Sequence, residues 1–203
     1  MAINSKHVPL RETIGLQYVC FGVEDEHGEW TDEYESDVTC IDGVKTSEVT
    51  DNSETTDVYA SGKLHDTVRG KGSYDIGLTT LGFDAETLAK MRGDTVDTTT
   101  GLIQKGSGNR PFFAYGRVVK YVGGGTRWDW YPKCKLSENS DNGDSVEDSY
   151  SEQTDTLTIR AYEYDEAKNI AVSIDSNVKV PTGLTEAGFF AQPILKPSDI
   201  PSN

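Results

Sequence analysis

No run in this chain approaches the roughly 18 consecutive apolar residues that a membrane-spanning helix needs, so no membrane partner is expected. Cysteine is scarce. Cys20, Cys40 and Cys134 lie far apart, with no Cys-x-x-Cys pair, which excludes a disulfide frame or a zinc site and predicts reduced thiols in a protein made in a cytosol. Basic residues are also few: 19 Lys and Arg stand against 34 Asp and Glu, a net charge of −15. That balance argues against attractive binding to nucleic acid or to an anionic membrane. The opening MAINSKHVPLRET has no apolar core, so no secretion signal is expected.

Catalytic signatures are missing as well. His7, His27 and His65 sit at no metal-ligand spacing, and no Gly-x-Ser-x-Gly is present. Gly101 to Gly108 contains glycines but not the Gly-x-x-x-x-Gly-Lys-Ser/Thr of a phosphate loop. Asp141-Asn142-Gly143-Asp144 has the look of a calcium loop. With Gly143 at its sixth position, however, the twelfth is Ser149, so the bidentate acid is absent. The expectation is a protein that is not an enzyme and takes no metal or cofactor.

What the chain does hold is strand pattern. From Ser73 to Gly93 one strand, one turn and one helix follow each other. Tyr74, Ile76, Leu78 and Thr80 alternate with Asp75, Gly77, Thr79 and Leu81, a period of two. A helix of about 84–92 then opens at Asp84 as N-cap and closes at Gly93. Phe83 and Leu88 stand at hydrophobic-staple spacing, and Phe83, Leu88 and Met91 are its expected core contacts. So short a helix is unstable alone and must pack on a sheet. Ile14–Val23, Thr154–Tyr164 and Ile170–Ile174 read as strands. Phe112–Val122 and Thr126–Leu136 read as a hairpin turned by Gly123, Gly124 and Gly125. On its second arm Trp128 and Trp130 share one face, and Arg127, Asp129 and Tyr131 the other.

Between these lie polar blocks. From Glu24 to Asp57 there are thirteen acids and one base, Lys45. From Lys105 to Lys135 seven bases face only Asp129, and from Glu138 to Asp155 acids return without a base. Thr46–Asp57 is too polar to fold by itself; it reads as a mobile loop, or as a hairpin that orders on contact. The expected organisation is an N-terminal arm over 1–13, one β-sandwich domain over 14–175 with a long loop at about 24–57, and a C-terminal arm over 176–203. In that last arm Phe189 and Phe190 predict docking on something else.

VYASGKLHDT, YDIGLTTLGFDAETLAKMRG, RPFFAYGRVVKYVGGGTRWDWYPKCKLSE and SEQTDTLTIRAY, in that order, resemble the major tail protein of long, non-contractile-tailed bacteriophages of Gram-positive hosts. The resemblance runs from roughly Val44 to Ala161; it departs at the acidic 24–37 and at the Ser61-Gly62 turn. It implies a mainly β sandwich or barrel with one flanking helix, an extended hairpin and terminal arms. It also implies hexameric rings that stack into a tail tube, contacts with the tape measure protein and other tail proteins, and passage of DNA without specific binding. Such a protein is made in the host cytoplasm and resides in the virion. On that reading Glu24, Asp25, Glu29, Asp42, Glu48, Asp51, Asp141 and Asp144 are expected to line the lumen. Arg117, Lys120, Arg127, Phe189 and Phe190 are expected at subunit interfaces. A carbohydrate-binding sandwich is the alternative, with Trp128, Trp130 and Tyr131 as a sugar platform.

Overall fold

The computed structural model describes residues 8–53, 55–140 and 152–201. Its strands are β1 (Arg11–Glu24), β2 (Trp30–Ile41), β3 (Val44–Asp51), β4 (Thr55–Ala60), β5 (Lys63–Arg69), β6 (Ser73–Thr80), β7 (Thr95–Asp97), β8 (Leu102–Gln104), β9 (Phe113–Tyr121), β10 (Thr126–Ser140), β11 (Asp155–Tyr162) and β12 (Val172–Asp175). Two α-helices, α1 (Ala85–Arg92) and α2 (Glu186–Phe189), and a 3₁₀ turn over Pro197–Asp199 complete the frame of the described residues. The main sheet runs β2-β1-β9-β10-β11-β6-β3, antiparallel throughout, and β12 adds to β10.

Two features bend this sheet into a sandwich. β2 and β3 are opposite ends of the strand path, yet only Asp42 and Gly43 join them. So short a link spans roughly 10 Å, so the path must fold back on itself. β10 carries the bend. Its first half pairs with β9 and β12 and its second half with β11, and the β9 register slips between Tyr131 and Cys134. Pro132 sits in that slip, where a residue without an N–H costs the ladder nothing.

The period of two then fills two cores. Val19, Phe21, Phe113, Tyr115, Tyr131, Leu136, Ile76, Leu78, Leu157 and Ile159 build the first, between the layers. The neighbouring positions Cys20, Ala114, Val118, Trp128 and Trp130 point the other way, into a second core. β1, β9 and β10 are therefore buried on both faces, which is why β9 reads as a nearly continuous apolar run.

α1 begins and ends where its capping residues place it. Asp84 Oδ2 accepts from the Thr87 amide at 2.8 Å, and Gly93 adopts a left-handed φ of 75°. That amide contact, followed by the Thr87 hydroxyl, holds the Asp84 carboxyl below its ordinary range. Met91 is fully buried in the first core, whereas Leu88 and Phe83 are only half-buried against it. Thr87 and Ala89 supply the rest of the inward face.

Three expectations are corrected here. The long loop at about 24–57 is instead β2, β3 and the start of β4. Strand structure begins at Arg11 rather than Ile14, because Arg11 pairs with Tyr121 and the Val122 amide donates to the Leu10 carbonyl. The C-terminal segment docks on its own domain rather than on something else. α2, capped by the Thr185 hydroxyl, puts Phe189 and Phe190 on the outer face of β1, β9 and β10 and closes the second core. α1 therefore has a helical companion that the residue pattern did not announce.

Candidate assembly surfaces

β4 and β5 form a two-stranded hairpin apart from the main sheet. Its turn, Ser61-Gly62, takes positive φ at both residues, 53° and 75°, the twist a two-residue hairpin favours. Every residue of β4 is exposed, and so are residues 61–67. Val58, Tyr59 and Leu64 are large apolar side chains left in solvent, with Tyr59 directly opposite Leu64. An isolated two-stranded hairpin is marginal in water, and among the described residues nothing covers these apolar side chains. Val8 and Leu10, just before β1, are likewise exposed.

The expected lumen acids do not gather at one place. Glu24, Asp25 and Glu29 sit at the β1–β2 turn. Glu24 accepts from the Phe112 amide, and Asp25 Oδ1 accepts from the His27 and Glu29 amides, so these two carboxylates shape the turn. Asp42 lies at the far end of β2, roughly 35 Å along a strand of this length. Glu48 and Asp51 are exposed on β3. Asp141 and Asp144, with the calcium-like turn they belong to, lie outside the described residues, as does His7.

The expected interface cations are corrected in part. Arg117 Nε lies 2.9 Å from Asp129 Oδ2, and Arg127 Nε 3.0 Å from Oδ1 of the same carboxylate. Asp129 is 1% exposed. The Ser173 hydroxyl donates to it at 2.6 Å, and Arg117 also reaches the Ser47 hydroxyl and the Tyr131 ring. These guanidiniums therefore tie β3, β9, β10 and β12 together within one chain, instead of facing acids on another. Lys120 is exposed and remains on the surface.

Phe189 and Phe190 are corrected too, since both are buried within their own chain. Phe190 stacks on Tyr18 at 4.0 Å, and the Phe189 carbonyl accepts from the Trp130 indole at 3.0 Å. Gly116 makes room for them: a Cβ there would lie 2.8 Å from the Phe190 ring. The local signal was the Phe-Phe pair itself. Its partners, Tyr18 and Trp130, lie far off in the chain and left no local trace.

The sugar platform is also corrected. Trp128, Trp130 and Tyr131 are all buried, the two indoles in one core and the phenol in the other. Burial, then the Arg117 charge working against it, leaves the Tyr131 hydroxyl pushed up to about 12. No cluster of three or more metal-ligating side chains occurs among the described residues. Cys20, Cys40 and Cys134 are all free, and burial, followed by the Glu35 charge, pushes the Cys20 thiol up to about 12. What the surface offers is a projecting hairpin, exposed strand edges at β2 and β3, and blocks of charge.

A family model described as phage tail tube protein matches residues 13–184. No curated protein matches the chain.

Proposed function

The chain belongs to the phage tail tube protein family, and from that premise we propose that it is the major tube subunit of a long, non-contractile phage tail. It is a structural protein of the virion tail, and proteins of this kind assemble with themselves and with other tail proteins. In the proposed assembly six copies close a ring through heterologous contacts that return to the start. Rings stack into the tube around the tape measure protein, and genome DNA leaves through the bore into a Gram-positive host. Exposed acids such as Glu29, Asp42, Glu48 and Asp51 face the bore. There they offer phosphates no counterion-releasing contact, so the DNA slides past.

The observation that carries this reading is the β4–β5 hairpin, which leaves Val58, Tyr59 and Leu64 exposed and finds no cover on its own domain. Repeated copies supply that cover. The test is assembly of the purified protein with Tyr59→Asp and Leu64→Asp. Both side chains are exposed, so the thermal midpoint of the monomer should stay within about 2 °C of wild type, as surface substitutions do. Sedimentation should show the large assemblies lost. Assemblies that form as readily as in wild type would remove the hairpin from the contact.

A further inference from the structure

A cationic pocket opens at the root of that hairpin. It is a cavity of about 410 Å³ lined by Lys71, Phe112, Lys133, Lys135, Tyr162 and Glu163. Lys71 lies in the three-residue link between β5 and β6, while Lys133 and Lys135 come from β10 just past its bend. Lys135 Nζ sits 3.9 Å from the centroid of the Phe112 ring. Lys133 Nζ is 5.3 Å from the same ring and 5.4 Å from that of Trp30. Aromatic faces attract ammonium groups but do not neutralise them. The one carboxylate in the lining, Glu163, accepts from the Gly72 amide at 2.8 Å. Three cations thus converge against one acid, in a chain whose net charge is −15.

We propose that this pocket is a carboxylate cradle, and that it receives the acid-only connection between β10 and β11 of a second copy of this chain. That connection carries Asp141, Asp144, Glu147 and Asp148 with no Lys or Arg. Its roots are at Ser140 and Asp155, which pair with Thr156 and Thr80. The pocket lies past the other end of β11, at Tyr162 and Glu163. Seven residue steps separate the two ends of that strand, about 23 Å. A fifteen-step connection folded at its middle reaches at most about 26 Å from its roots. Only by lying almost fully extended along its own strands would it reach its own pocket.

A second copy placed head to tail can meet the pocket without that extension. The contact is heterologous and leaves a free pocket at one end and a free acidic connection at the other, so it propagates as a stack. It rests on the tube reading and names its axial contact, and it assigns Asp141 and Asp144 to that contact rather than to the bore.

Charge exchange tests it. The Lys133→Glu, Lys135→Glu variant should raise the concentration at which assembly begins at least tenfold, and so should Asp144→Lys, Glu147→Lys. A chain carrying all four changes should return to within about threefold of wild type. Circular dichroism confirms that each variant is folded. Carbodiimide coupling of assemblies mixed from light and nitrogen-15 chains should join Lys133 or Lys135 of one chain to an acid of 141–151 in another. Three results would overturn the cradle: a four-change chain no better than its parents, couplings confined to single chains, or pocket lysines protected by a short DNA duplex instead of by assembly. Wild-type protein that never assembles contradicts the tube reading itself. Wild-type assembly that is indifferent to both pairs of changes contradicts the cradle alone.

Discussion

At Asp129 one buried carboxylate holds two guanidiniums and a hydroxyl. Its burial would be costly if it were unpaired, and the same holds for Arg117, whose side chain is almost as enclosed. Removing the carboxylate strands both cations. Asp129→Ala is therefore expected to lower unfolding free energy by about 3–5 kcal/mol, the range for breaking a buried pair from one side, read by chemical denaturation. A loss below about 1 kcal/mol would mean that water replaces the carboxylate and that the network does not hold the layers. The alternating residues of 126–131 placed Arg127 and Asp129 on one face correctly. They could not show that Arg117, on the partner strand, closes the same pair, because charge partners across a hairpin depend on register.

At the scale of elements, legibility followed local regularity. β6, α1 and the β9–β10 hairpin were readable because each keeps one period and carries its own punctuation: alternation at Ile76 and Leu78, Asp84 and Gly93 as caps, and glycines at 123–125. β2 was not readable. Its inward residues, Trp30, Tyr34, Val38 and Ile41, are spaced four, four and three apart. That spacing imitates a helix, because register shifts against β1 break the period of two as far as Val38, and Ile41 then faces the other core. As an edge strand it also carries charge along its free side, which guards against unwanted pairing. The C-terminal segment was hidden for a different reason, since its core partners are distant in sequence. For α1 the structure reorders the anchors. Met91→Ala should cost about 2–5 kcal/mol, as expected for a fully buried long side chain. Half-buried Leu88→Ala should cost clearly less, about 1–2 kcal/mol, by the smaller area it removes from water. Equal losses from the two substitutions in denaturant melts would show that the helix seats on the Leu88 side instead.

For the whole molecule, large apolar side chains stay exposed at the hairpin and before β1, and also at positions such as Leu102, Val122 and Val178. Both cores are closed within one chain, and the aromatic residues that look like a binding platform are inside them. On the proposed tube reading, the exposed hairpin meets copies of the same chain. Electron cryomicroscopy of the concentrated protein tests this account most directly. The account predicts hollow tubes of stacked six-membered rings, with the β4–β5 hairpin of each copy lying on a neighbour and Glu29, Asp42, Glu48 and Asp51 on the wall of the bore. Protein that stays as single, compact particles at every concentration, or tubes whose hairpins point into solvent while these acids lie on the outer wall, would contradict it.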